Sequence, residues 1–387
     1  MKVWLAIRLL CAVVFCAVSS LVLVQAPVLP LFIVALVVTE FGHWLFLVPL
    51  ALAFVPVPRT AWNSLGTGLA LIASALLLSP SIRAHAVARQ LPRSLAEVFP
   101  DASTNLTHVG DFSTPFSWKN LWLASPVKKV PVTTYTYATH DNEALHLRYY
   151  RDNDNRALPC VLVIHGGGWE NGSADEFPNL NHELAHRGYA VAAMEYRLAP
   201  HWTWPAQRED VHDAMEYLRQ HAAELHLDPR RFVLLGRSAG GQIAEAVAYG
   251  AHDPAIRGCI AFYAPADMNY AYEFGRPDDI LNSPHLLRQY LGGTPAEAPA
   301  NYHSASGILL ADKDSPPTLL IHGYRDELVW YLQSLRLDAR LATLGIPHLF
   351  VKLPWATHAF DYNIHGPGGQ ISTYAVEAFL SAVTREP

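Results

Sequence analysis

Arg231-Phe-Val-Leu-Leu-Gly236-Arg-Ser238-Ala-Gly240-Gly241 joins a short apolar run to small residues set around one serine. Phe232 to Leu235 reads as a buried strand, and Gln242 to Tyr249 behind it has helical periodicity. Gly236-Arg-Ser238-Ala-Gly240 is therefore a G-x-S-x-G pattern at a strand-to-helix turn, the setting in which the pattern carries chemistry. Small residues let the backbone turn tightly, and the turn pushes the hydroxyl out to where a carbonyl carbon can reach it. The next helix aims unpaired N–H groups, and its positive dipole end, at charge developing there. Ser238 is the expected nucleophile.

Working outward, strands alternate with helices. Thr133 to Tyr137 and Ala144 to Tyr150 alternate like a hairpin around His140-Asp-Asn-Glu143. Apolar strands are expected at Pro159–Ile164, Ala190–Met194, Cys259–Tyr263, Thr318–Ile321 and Leu349–Leu353. Helical stretches fall near Asn179–Arg187, Pro205–Leu225, Val329–Leu344 and Ile371–Val383. This order implies an α/β domain over residues 132–387, a mostly parallel sheet flanked by helices, with reactive groups at the carboxyl ends of the strands.

His165-Gly-Gly-Gly-Trp169 follows one of those strands. Three glycines let the backbone approach a ligand and point N–H donors at an oxyanion. A serine also needs a base, because a hydroxyl is a poor nucleophile at neutral pH. Among 19 histidines, His358 follows the last strand in a small-residue loop. Asp326 ends the short turn Gly323-Tyr-Arg-Asp326 after a buried strand. Of its rivals, Asp361 would have to double back toward His358, and Glu327 is expected to leave the turn toward solvent or the next helix. The order Ser238, Asp326, His358 is the one expected of an α/β-hydrolase.

From about Val132 onward the chain resembles an α/β-hydrolase, closest to the hormone-sensitive-lipase-like and feruloyl-esterase-like carboxylesterases. The resemblance rests on His165-Gly-Gly-Gly-Trp169, Glu195-Tyr-Arg-Leu-Ala-Pro200 with Trp204-Pro205 and Asp210, Gly236-Arg-Ser-Ala-Gly240, His322-Gly-Tyr-Arg-Asp326 and Thr357-His358-Ala-Phe360. It implies that Gly167, Gly168 and Ala239 supply the oxyanion N–H groups. Tyr196, Arg197 and Asp210 would brace the site from below, and His165 would hold the glycine loop in shape. No metal and no organic cofactor is expected. Residues 267–300, rich in tyrosine and glycine, are expected to form a cap; their aromatics suit an apolar pocket and ordinary helix packing equally.

The first 130 residues lie outside that resemblance. Three apolar runs, at about 3–24, 28–55 and 62–79, are each read as a membrane helix, with two spans as the alternative if the third packs on protein. Glu40 and His43 fall within the second; a helix–helix hydrogen bond accounts for them more simply than an ion path. Residues 81–131 read as an amphipathic helix, on the membrane surface or docked on the downstream domain, followed by a linker holding the glycosylation motif Asn105-Leu-Thr107. A chain starting near Asp101 is therefore expected to be soluble and active. Lys2, Arg8 and Arg59 on one side balance Arg83, Arg89 and Arg93 on the other; the arrangement favoured places the catalytic domain outside the cytoplasm.

A formal charge of −6 gives no reason to expect a nucleic-acid partner. Cys11, Cys16, Cys160 and Cys259 all lie in apolar runs and read as inert thiols. The sum is a membrane-anchored serine hydrolase acting on a small-molecule or lipid-like ester through an acyl-enzyme. Acyl transfer by the same three residues, or a silent membrane-tethered binding module, are the alternatives.

Overall fold

Val132–His140 (β1) and Glu143–Tyr150 (β2) form an antiparallel hairpin. Its turn holds Asp141 at φ 46° and Asn142 at φ 68°, the positive pair that a type I′ turn needs and that Asp and Asn tolerate. The computed structural model describes residues 2–100, 112–123, 126–152 and 155–385; the Asn105 motif lies outside them.

Six more strands follow: Leu158–Ile164 (β3), Ala190–Met194 (β4), Leu227–Arg237 (β5), Ile256–Phe262 (β6), Thr318–Gly323 (β7) and His348–Leu353 (β8). They make one eight-stranded sheet in the order β1-β2-β4-β3-β5-β6-β7-β8. From β4 to β8 all pairs are parallel. Helices cover both faces, so the inner strands read as unbroken apolar runs; all five residues of β4 are buried. The chain leaves β3 for β4 on one side and returns to β5 on the other. β3 and β5 are thus neighbours, with Ile164 opposite Gly236. Their carboxyl ends form the crevice where ligands bind in such sheets.

At the N-terminus, helix Lys2–Ser19 continues through the turn Ser20–Val22. Helices Leu29–Glu40, Gly42–Leu45, Leu47–Phe54 and Ala61–Val98 follow. Among the described residues, two helices are long and apolar enough to cross a membrane, Val3–Val22 and Ala61–Val98, with a third span if Leu29–Glu40 and Gly42–Phe54 are joined across a 75° bend. The second expected span is therefore not one straight helix. It bends where Gly42 meets the long helix so closely that a Cβ there would lie 2.2 Å from the Leu77 carbonyl oxygen. Just before the bend, Glu40 is fully buried against the sheet domain. Its Oε2 accepts the Gly368 N–H at 3.0 Å, and its carbonyl accepts Asn363 Nδ2 at 3.3 Å. Gly368 lies in the first turn of helix Pro367–Val383, where a carboxylate satisfies an otherwise orphan donor. At the far end of the bundle, Arg8 ties three helices by donating to the Leu52 and Asn63 carbonyls and to Thr67 Oγ1.

The stretch expected as a separate amphipathic helix after Pro80 instead continues Ala61–Val98 without interruption. A proline inside a helix orphans the carbonyl four residues back. Here that carbonyl belongs to Leu76, and Ser79 Oγ donates to it at 2.8 Å, replacing the lost bond. Beyond Pro80 the helix enters the sheet's core: Ala84, Ala88, Leu91, Leu95 and Phe99 join the cluster that includes Trp355, Ile371 and Phe379. Phe99 packs edge-on against Phe379 at 5.2 Å. A cut near Asp101 thus runs through a core, not between domains. Burial of each Leu or Phe side chain is worth about 1.5–3 kcal/mol. A fragment beginning at Ser81 is accordingly expected to melt at a clearly higher temperature than one beginning at Asp101. Thermal unfolding of the two, followed by circular dichroism, checks this.

Candidate active site

β5 ends in a turn that places Ser238 at φ 52°, ψ −119°, a conformation a side-chain-bearing residue adopts only when its surroundings enforce it. The Ser238 N–H donates to the Phe262 carbonyl at 2.9 Å, fastening the turn to β6. A Cβ on Gly236 would lie 2.1 Å from the Gly240 oxygen, and one on Gly240 would lie 2.2 Å from the Ile164 oxygen. Both glycines are sterically obligatory. The serine is half-buried, at the mouth of the β3–β5 crevice.

The glycine loop leaves β3 directly above it. A Cβ on Gly166 would come within 3.5 Å of Ser238 Cβ, and Gly167 and Gly168 hold φ 98° and 61°. Ala239 opens helix Ala239–Gly250, so its N–H has no acceptor within the helix. His165, Tyr196, Arg197 and Asp210 lie together beneath the loop. His165 Nδ1 donates to the Gly166 oxygen at 2.8 Å, and burial pushes this imidazole down to about 4, keeping it neutral. Its ring stacks on Tyr196 at 4.1 Å, whose hydroxyl lies 3.2 and 3.1 Å from the His165 and Gly166 oxygens. Arg197 holds Asp210 through its N–H and its Nε, both at 2.7 Å. His140, Asp210 and Asp213 bring ligand-type atoms within 4.8 Å of one another. Both Asp210 oxygens are already bonded to Arg197, so the group reads as an extension of that ion pair.

Asp326 is completely buried. Its Oδ1 accepts the Leu328 and Val329 N–H groups at 2.9 and 2.8 Å, and its Oδ2 lies 2.7 Å from His358 Nδ1 and 3.1 Å from His322 Nε2. Burial alone would raise this carboxyl, but the charge of His358 and the bonds from both imidazoles outweigh it and hold it at about 2. A carboxylate fixed in this way orients an imidazole and stabilises its protonated form. His322 adds a second brace, anchored through Nδ1 to Ser334 Oγ at 2.7 Å. The sequence marks His322 as the strand-end residue that opens the His322-Gly-Tyr-Arg-Asp326 motif, but assigns it no contact with the acid.

Neither rival carboxylate approaches His358 in the same way. Asp361 accepts Arg237 Nε at 2.5 Å and the Tyr263 hydroxyl at 2.6 Å. Arg237, the residue before the serine, is buried between Phe177 and Phe262, 5.3 Å from each ring. Tyr263 in turn lies 4.3 Å from the His358 ring. Glu327 does not face solvent as expected: its oxygens are buried, and burial together with the Asp326 charge pushes its carboxyl up to about 8.

Beside the site lies a narrow, partly open cavity of about 70 Å³. Trp169 and Leu286 wall it toward the glycine loop, and Glu327 to Trp330 toward the acid, while Ser238 is not part of its lining. Tyr270 and Phe274 of the cap line it, whereas Tyr290 is buried, stacked on Trp169 at 4.4 Å and bonded to Gln242 Oε1 at 2.9 Å. Tyr272 packs on Tyr302 at 5.9 Å. The cap aromatics thus divide between pocket and packing.

A mostly parallel sheet, a serine on a strained strand-to-helix turn and an Asp–His pair beyond the last two strand ends define the α/β-hydrolase class. The profile of the BD-FAE family matches residues 148–341, half of the chain, including Ser238 and Asp326 and ending before His358. The chain belongs to this family. It is 28% identical over 260 residues to the probable carboxylic ester hydrolase LipM of Mycobacterium tuberculosis, covering 62% of this chain and 58% of that one. It is also 28% identical over 215 residues to the esterase LipQ of the same organism, covering 53% and 51%. The chain thus spans little more than half the length of these relatives. A hyperthermophilic esterase from Pyrobaculum calidifontis superposes with a TM-score of 0.57 at 24% identity, over 79% of this chain and 98% of that one.

The two buried carboxylates are expected to fail differently. Asp361→Asn leaves Arg237 buried without its counter-charge and should lower unfolding stability by about 3–5 kcal/mol. Asp326→Asn should instead leave the fold standing and lower turnover on the order of 10⁴-fold by favouring the wrong imidazole tautomer. Denaturant unfolding and steady-state kinetics of the two variants separate these outcomes.

Proposed function

We propose that the protein is a membrane-anchored serine ester hydrolase, and the observation that carries this is the buried Asp326 held 2.7 Å from His358 Nδ1 at the sheet edge that presents Ser238. His358 Nε2 takes the proton of the Ser238 hydroxyl as its oxygen attacks the ester carbonyl. The oxyanion is received by the N–H groups of Gly167, Gly168 and Ala239. The tetrahedral intermediate collapses with the proton passing from His358 to the leaving alcohol, giving an acyl-serine. Water, deprotonated by the same imidazole, then releases the acid and restores Ser238. The names of the relatives LipM and LipQ, an ester hydrolase and an esterase, support this reaction class.

The anchor reading rests on the two long apolar helices and the bent pair. Contacts of Arg8 with Leu52 and Asn63 mark one end of the bundle. At the other, Leu21, Ala26 and Leu77 cluster with Leu328 of the hydrolase domain. These contacts support a reading in which the N-terminus and the catalytic domain lie at opposite ends of the bundle, with the domain outside the cytoplasm.

Ser238→Ala should abolish hydrolysis of a short activated ester while circular dichroism and unfolding stay near wild type. More than a few per cent of residual turnover in the purified variant would remove Ser238 from the mechanism. Full-length protein should also stay with the membrane pellet through alkaline carbonate extraction; release into the supernatant would refute the anchor.

A further inference from the structure

The cavity beside Ser238 has polar residues in its wall, and two of them, Asp279 and Gln333, spend their hydrogen bonds on the backbone around them. Asp279 spends its oxygens on the N–H groups of Arg276, Leu281 and Ser283. Gln333 Oε1 accepts the Ala266 and Asp267 N–H groups, and its Nε2 donates to the Asp267 oxygen. Glu327, pushed up to about 8, is largely uncharged at neutral pH. The remaining wall is Tyr270, Phe274, Leu281, Leu286, Leu287, Leu328 and Trp330 with their neighbours, a lining for an aliphatic chain.

That wall is continuous with the N-terminal helices. Leu328 lines the cavity and, with Ile280, packs against the cluster of Leu21, Val22, Ala26 and Phe32. Gln25, in the link between the first two helices, donates from Nε2 to the backbone carbonyl of Asp326 at 2.7 Å. The link therefore rests on the loop that carries both the acid and the cavity wall. Large apolar side chains stay exposed on both: Leu23 and Val24 at 40% and 50% on the link, and Phe274, Leu281 and Trp330 at 43%, 37% and 40% around the cavity. Next to helices that cross a bilayer, such a rim matches lipid instead of water.

We infer that the cavity is filled from the bilayer: the substrate is a membrane-resident, long-chain ester whose acyl chain enters between the Phe274–Leu281–Trp330 rim and the Leu23–Val28 link. This inference rests on the ester hydrolase reading of Ser238. The chain lies among the cap aromatics, and its ester carbonyl passes Trp169 to reach the serine. No bond is made or broken beyond the acyl transfer already described.

The full-length enzyme is tested in phosphatidylcholine vesicles containing para-nitrophenyl palmitate, with water-soluble para-nitrophenyl acetate as companion substrate. Turnover of the palmitate ester should follow its mole fraction in the enzyme-bearing vesicles and stay unchanged when the suspension is diluted with buffer. Palmitate ester offered only in separate, enzyme-free vesicles should be hydrolysed far more slowly. Trp330→Asp should lower the ratio of palmitate to acetate turnover roughly tenfold, since a charge at lipid depth is unfavourable. Acetate hydrolysis with palmitate turnover that ignores mole fraction, or that is equal from both vesicle populations, overturns bilayer entry alone. An unchanged ratio in Trp330→Asp overturns the rim as the entrance. Absence of hydrolysis of both esters overturns the ester hydrolase reading and this inference with it.

Discussion

The site depends on one backbone constraint, the positive φ of Ser238 where β5 becomes a helix. The turn closes only because Gly236 and Gly240 have no Cβ to collide with the carbonyls of Gly240 and Ile164. Since Ile164 is the last residue of β3, the same contact brings the glycine loop over the serine. The strain is held from below by the ion pair of Arg237 with Asp361 and by the Ser238 N–H bonded to Phe262. Ser238, the glycine loop and Arg237 are therefore one mechanical unit built on two neighbouring strands, with Asp361 reaching in from beyond β8. The Asp326–His358 pair is brought to it by β7 and β8; Gly323 passes so close to the Ala356 carbonyl that a Cβ there would lie 2.2 Å away.

Much of this was legible because it is local. Strand and helix periods located the elements near their observed positions, and the glycine patterns carried the turn at Ser238 and the loop at Gly166 to Gly168. Asp326 could be preferred over Asp361 on chain geometry, and the structure gives Asp361 a different partner. What stayed hidden is long-range pairing. Nothing near Asp361 in the chain announces Arg237, 124 residues earlier. Glu327 was expected to leave the turn toward solvent or the next helix because its side chain is longer; instead it meets the backbone of Ala26, three hundred residues away in sequence.

The N-terminal third was read for hydropathy, which reports solvent preference but not partners. Composition alone could not distinguish lipid from a protein core as the environment of Leu91 and Leu95. The change to arginine-bearing sequence after Pro80 suggested a separate helix, yet the helix runs on through the proline, where Ser79 supplies the missing donor to Leu76. Glu40 illustrates the same limit: within an apolar run it suggested a polar group in a bilayer, whereas it caps a helix of the hydrolase domain. Apolar sequence that touches protein at one end and lipid at the other carries a single signal for two surroundings.

The unbroken helix Ala61–Val98 has a further consequence, one of angular phase. Its first half packs with the apolar bundle, and its second half is part of the sheet's core. Each residue advances a helix by about 100°. One residue inserted between Ser79 and Ala84 would rotate the hydrolase domain through that angle about the helix axis. Gln25 would then point away from Asp326, and Glu40 away from Gly368. Length along this helix is thus not a free variable, as it is in a flexible tether; the number of residues in it sets the direction in which the active site faces.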